Sequence, residues 1–217
     1  MKQVVMGVVM LCLGGGASAR AQAPAPAADQ HVFAQVDGGV TFGGTTSSVV
    51  QVEGGYRALP GLELFGEIGR MQDLAPHSTA TRAGIIVGYL NRQGKGPAAA
   101  TVHMPALYGA IGARYFLPAH RRLEPYLLAA VGLARTSSNV RFSLGGADIT
   151  GQMPAYGVQL GSDLSGSQTN ALVALGLGAT LPWRAIYFDG AIRYHRIFAA
   201  PAGINVGSAT FGVGYRF

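Results

Sequence analysis

The segment SATFGVGYRF, residues 208–217, decides the fold. Its odd positions, Ala209, Phe211, Val213, Tyr215 and Phe217, are apolar or aromatic. Its even positions, Ser208, Thr210, Gly212, Gly214 and Arg216, are small, polar or charged. Successive side chains of a β-strand point to opposite faces, so this segment has one oily face and one polar face. Two settings fit it. The oily face covers a soluble core, or it meets lipid while the polar face lines a barrel interior.

Of the 217 residues 49% are hydrophobic and only 12% charged, which suits a deeply buried or membrane-embedded chain. No apolar run approaches the roughly 18 residues that a membrane helix requires. The longest, VVMGVVMLCLGGG (4–16), follows Lys2 and precedes ASARAQA (17–23). That order reads as a secretory signal peptide over residues 1–21, cleaved after Ala21 or, alternatively, after Ala19. The only cysteine, Cys12, lies inside it behind Leu11, where a lipoprotein signal requires a small residue. The exported chain then has no thiolate or disulfide chemistry. Residues 22–30 form a Pro/Ala-rich tether, and 31–217 a single domain. The formal charge of +6 comes without a Lys/Arg cluster carrying interleaved aromatics, so nucleic acid is not implied. Exposed arginines beside anionic lipid are expected instead.

Alternating segments recur at 33–43, 48–58, 62–72, 105–116, 123–135, 170–182, 184–195 and 204–217. Ten residues at about 3.3 Å each, tilted by about 40°, span about 25 Å, the height of an outer-membrane apolar band. Three short connectors are alike: ALPGL (58–62), FLPAHRRLEP (116–125) and TLPWRA (180–185). GGTTSS (43–48) and AAPAG (199–203) are modest, whereas the stretches 72–104 and 136–168 are long. Short turns on one side and long loops on the other are the layout of bacterial barrels. The expected fold is all-β: a transmembrane antiparallel up-and-down barrel of eight strands with two long extracellular loops. Ten strands is the alternative, if RAGIIVGYL (82–90) and the apolar part of 151–169 are strands rather than short helices over the mouth. Eight is preferred because 82–90 has no polar face to offer a lumen.

With these features the chain resembles the small eight-stranded outer-membrane barrels of the OmpA/OmpX type, and more broadly the outer membrane protein β-barrel domain family. The signal peptide, the alternating strands and the terminal GVGYRF (212–217) carry the resemblance, while the long loops match no family motif. The resemblance implies a monomer in the outer membrane of a Gram-negative-type bacterium, surrounded by outer-membrane lipid and lipopolysaccharide. It also implies that the barrel assembly machinery reads the last strand through Phe211, Val213, Tyr215 and Phe217. The implied role is structural or surface-interaction.

If Val50, Val52, Tyr56, Leu64, Ile111, Val131, Leu175, Ile192 and Val213 face lipid, the opposite parity lines the lumen. That parity holds Asp37, Glu53, Arg57, Glu63, Glu67, Arg114, Glu124, Asp189, Arg193, His195 and Arg216, with six of the ten carboxylates of the chain. The sorting has a physical cause, since a charge on the lipid face at mid-depth costs about 2–4 kcal/mol. A narrow lumen tolerates such charges when they are paired, so a salt-bridged network is expected. Inward small residues (Gly55, Ala110, Gly112, Ala130, Gly132, Gly176, Gly178, Gly212, Gly214) leave space for water. A narrow channel for small or hydrophobic solutes, gated by the loops at 72–104 and 136–168, is therefore the second reading.

A rim enzyme is the third. His195 is its candidate, yet Asp189 lies six residues away, about 20 Å along the strand. HRIF (195–198) lacks the H-x-S pairing of lipid A deacylase barrels, and His77 and His103 have no metal-ligand spacing. The chain is expected not to be an enzyme and to bind no cofactor or metal. The long loops are expected to grip an extracellular ligand or to plug the mouth.

Overall fold

A computed structural model describes residues 31–94, 96–118, 122–161, 164–200 and 202–217. The expected signal peptide (1–21) and tether (22–30) lie outside these described residues. The elements are β1 (Val32–Phe42), β2 (Ser47–Leu59), β3 (Leu62–Met71), α1 (His77–Arg92), β4 (Ala98–His103), β5 (Ala106–Phe116) and β6 (Glu124–Leu144). They continue with the two-residue β7 (Ala147–Asp148), a 3-10 helix (Thr150–Tyr156), β8 (Ser165–Trp183), β9 (Ile186–Ile197) and β10 (Ile204–Arg216).

Eight strands form the ring, each antiparallel to the next, in the order β1, β2, β3, β5, β6, β8, β9, β10. It closes where β1 meets β10, from Phe33 opposite Arg216 to Phe42 opposite Gly207. The Phe217 N–H donates to the Val32 carbonyl at 2.8 Å. The 208–217 segment is thus laddered on both sides, by β1 and by β9. Closure leaves no strand edge within the ring, as the bilayer requires, because an unpaired amide in hydrocarbon costs several kcal/mol.

Alternation places one apolar side chain of each ring strand outward near mid-height: Val36, Val52, Ile68, Ile111, Val131, Leu175, Ile192 and Phe211. All are 54–69% exposed. A continuous apolar belt of this kind exceeds anything a soluble surface carries and needs lipid to cover it. On the ring strands, the outward-facing charges are Arg70, Arg135, Arg141 and Arg196, all at the loop end. At the opposite end, the β2–β3 turn uses Pro60 followed by Gly61 at φ +83°, where a left-handed residue is needed.

β6 runs nine residues beyond its expected end, and β8 starts five residues before its expected start. There the ladder pairs residues such as Ser137 with Ser167 and Thr136 with Gln168. Residues 136–139 of β6 and 165–169 of β8 are polar on both faces and interrupt the alternation, which resumes only in VRFSL (140–144). β4 joins the same extension, from Ala98 opposite Leu144 to His103 opposite Asn139, and β7 pairs with its tip, which is why ten strands share one sheet although eight make the ring. The apolar run 82–90 is helical, within α1. Ala83 and Leu90 of α1 are buried against Val140 and Phe142 of β6 and against Ile149, Met153 and Leu164. This small second core lies at the loop end, beyond the closed ring. At the start of the 3-10 helix, the Thr150 N–H donates to Asp148 Oδ1 at 2.9 Å. With the Thr150 hydroxyl, it holds that carboxyl below its ordinary value.

Candidate functional site

All eleven expected lumen residues face inward. Asp37, Glu53, Glu63, Glu67, Arg114, Asp189, Arg193 and His195 are buried; Arg57, Glu124 and Arg216 sit part-buried at the short-turn end. Strand register explains how they meet. Arg57, Glu63 and Arg114 are consecutive cross-strand neighbours on β2, β3 and β5. Glu53 and Glu67 face each other across β2 and β3, a like-charge pair that by itself destabilises a ladder. Arg193, on β9, resolves that repulsion. Its Nη1 donates to Glu67 Oε2 at 2.5 Å and its Nη2 to Glu53 Oε2 at 3.1 Å.

The other oxygen of Glu53 accepts from Arg114 Nη2, so one carboxylate bridges two guanidinium groups. Arg114 also lies 3.7 Å from Glu63 and is boxed by rings, with Tyr126 at 4.5 Å and Phe33 and Phe65 each at 5.5 Å. Such face contacts offset part of the cost of burying a guanidinium. Nearer the short turns, Arg57 pairs with Glu63 at 3.1 Å and Arg216 with Glu124 at 3.3 Å.

Asp37, Asp189 and His195 were expected in the ion-pair network and lie outside it. Asp37 and Asp189 flank Gly212 in one row of the sheet, beside Gln51 and Thr180 rather than an arginine. Neutral donors therefore serve them. Gln35 and Gln51 donate to Asp37 at 2.5 and 3.1 Å, and the Tyr126 hydroxyl donates to Asp189 at 2.8 Å. Tyr108 and Tyr187 complete the layer, donating to Gln51 at 2.7 Å and Gln35 at 2.9 Å. His195 Nε2 meets Ser208 Oγ at 3.2 Å, a cross-strand serine the sequence had not singled out. Its Nδ1 has no hydrogen-bond partner among the described residues, so no carboxylate orients the ring for nucleophilic catalysis.

Sequence reasoning missed Gln35, Gln51, Tyr108, Tyr126 and Tyr187, although their inward parity was legible. Three of the inward glycines expected to leave space for water lie against large inward side chains. A Cβ on Gly178 would run into the Tyr126 hydroxyl, one on Gly214 into the Tyr187 ring, and one on Gly212 into the Asp37 carboxylate. These glycines are the sockets that let large side chains cross the lumen. Above the polar layer the lumen is apolar, filled by buried Val49, Met71, Leu172, Ile197, Ile204 and Val206. A cavity of about 80 Å³ remains at the mouth, between Thr79 of α1, Met104, Thr136, Gln168 and Ala199.

Two polar groups of the loops are also tied down. Asp73 accepts from the N–H groups of Ala75 and Met104, each at 3.0 Å, and lies 3.0 Å from His103 Nδ1. His77 is not part of that cluster. Phe211, Val213, Tyr215 and Phe217 all point outward at the membrane face.

Among solved structures, the chain is similar to neisserial surface protein A (TM-score 0.55, 16% identity), with 86% of this chain and 97% of that one covered. It is also similar to the N-terminal barrel of OprF from Pseudomonas aeruginosa (TM-score 0.48, 16% identity, 87% and 98% covered). A third is Ail, the attachment invasion locus protein of Yersinia pestis (TM-score 0.45, 13% identity, 86% and 97% covered). At such identities the likeness to the first speaks for the fold and assigns no residue a role. A comparison with curated protein sequences finds no match. The model of the outer membrane protein β-barrel domain matches residues 9–217. With that match over a closed ring of eight lipid-facing strands, the chain belongs to the outer membrane protein β-barrel domain family.

Proposed function

We propose that this outer-membrane barrel has a structural or surface-interaction role and that its own side chains close its lumen. One contact carries the reading: Arg193 on β9 meets Glu67 on β3 at 2.5 Å, and these strands stand on opposite sides of the eight-membered ring. A salt bridge across the full bore, sealed above by the apolar layer of Met71, Leu172 and Ile197, leaves an interior that side chains fill, as expected for eight strands. Interaction then falls to the loop end, where α1, β4 and the 3-10 helix share a packed core. A groove lined by Thr45, Ala80, Gly84, Val87 and Ala100 is the surface offered to an extracellular ligand.

The same reading has residues 1–21 direct export from a Gram-negative-type cell and has the barrel assembly machinery engage Phe211, Val213, Tyr215 and Phe217. The barrel works as a monomer among outer-membrane lipids and lipopolysaccharide and uses no enzymatic chemistry.

Cysteine labelling tests closure. Cys12 is the only native cysteine, so single substitutions in a Cys12→Ala background report one site each. Ala174 and Ala191 face the lumen at 0% and 5% exposure. Ala174→Cys and Ala191→Cys should stay unreacted with a charged thiol reagent over the time in which loop Thr45→Cys reacts fully. Reaction at all three alike would mean an aqueous lumen and favour the channel.

A further inference from the structure

Four outward arginines stand at the loop end of the ring, and two are already engaged. Arg196 Nη1 donates to Asn205 Oδ1 at 2.5 Å, and Arg141 interacts with the Asp148 carboxylate. Arg70 and Arg135 are both exposed, and neither side chain makes a hydrogen bond or ion pair among the described residues. The register puts them in one row, since Arg70 is opposite Leu107 and Leu107 is opposite Arg135. Their Cα atoms are two strands apart, about 10 Å at ordinary strand spacing. No outward carboxylate stands on any ring strand.

Below this row the same three strands are apolar. The next rows are Ile68–Gly109–Leu133, then Gly66–Ile111–Val131, then Leu64–Ala113–Ala129. Gly66 is also opposite Gly54 of β2, and the missing side chains leave a groove walled by Tyr56, Leu64, Ile111 and Ala113. The groove begins four residues below Arg70, about 13 Å along the strand.

We propose that Arg70 and Arg135 straddle the phosphate of an outer-leaflet glycolipid, one of whose acyl chains runs down over Gly109 into the groove at Gly66. Three observations converge on one occupant. Two guanidinium forks without partners among the described residues, on Cα atoms about 10 Å apart across an apolar Leu107, can both donate to a single phosphate. Cations at the edge of the apolar belt sit where lipid headgroups begin, and there their burial costs little. A trough at glycines of the same strands begins about 13 Å below the charges, within reach of an acyl chain. The site rests on the reading that the long-loop end faces outward, because only there does the row meet the outer leaflet.

The test uses the full chain extracted from outer membranes into detergent, titrated with bis-phosphorylated lipid A and followed by native mass spectrometry. Binding should fall at least about tenfold in the R70Q/R135Q double variant, because each charge-assisted hydrogen bond contributes roughly a factor of ten. Heat-modifiable migration should be unchanged, since neither side chain holds the fold together. Fully dephosphorylated lipid A should bind wild type as weakly as lipid A binds the double variant, and millimolar inorganic phosphate should not compete. Affinity kept within about twofold by the double variant, equal binding of dephosphorylated lipid, or competition by free phosphate would each overturn the site. Labelling Ser78→Cys on intact cells separates the two failures, since a loop end that faced inward would leave that cysteine unlabelled.

Discussion

Glu53 joins the two buried arginines of the lumen, and it does so beside a second carboxylate, Glu67, on the neighbouring strand. Charges this deep are held only in company. Removing one partner of a buried pair leaves the other uncompensated, at a cost of about 3–5 kcal/mol. Glu53→Gln keeps the shape and strips the bridge, so it should lower unfolding stability by about that amount in urea titrations of the detergent-folded barrel. Arg57, whose side chain is 35% exposed, shares Glu63 with Arg114 and Arg216, and Arg57→Gln should cost less than about 1 kcal/mol. Equal losses would mean that the central bridge has no special weight. Parity alone told which of these residues face inward. It could not tell that Arg193 reaches Glu67 across the bore while Asp37 is left to glutamines, because that depends on which strands stand opposite one another and on where glycines open room.

At the scale of elements, the membrane-crossing parts of the strands were legible and the parts above the membrane were not. Lipid imposes a two-residue period, so β1, β2, β3 and β9 fall within two residues of their expected bounds. Above the membrane no such rule acts, and residues 136–139 of β6 and 165–169 of β8 are polar on both faces. β4, an Ala-rich AAATVH, has little intrinsic strand preference and no sequence signal that separates it from a loop. α1 shows the same limit. Its apolar run suggested burial, but Ile85 is 65% exposed, and a Cβ on Gly84 or Gly88 would meet nothing within 4 Å. Two glycines in an open helix face each weaken it by about 0.5–1 kcal/mol relative to alanine. Gly84→Ala with Gly88→Ala should therefore slow hydrogen exchange of the α1 amides and leave exchange in the ring strands unchanged. Faster exchange in α1 would show that something else packs on that face.

The whole molecule follows from one constraint applied eight times. Each ring strand offers lipid an apolar row, turns its polar row inward and pairs both edges, and the last strand closes on the first. The barrel and its strand number were thus legible in the sequence. The state of the bore was not, because the same inward glycines suit a hydrated channel or sockets for tyrosines. The cross-lumen bridge of Arg193 with Glu67 and Glu53, capped by Met71, Leu172 and Ile197, favours the closed state. Current through single folded molecules in a planar bilayer tests this most directly. The closed lumen predicts no stable openings from protein whose folding is verified by heat-modifiable migration. Steady, salt-dependent openings whose size changes in Arg193→Gln would contradict it and make the lumen charges the lining of a channel.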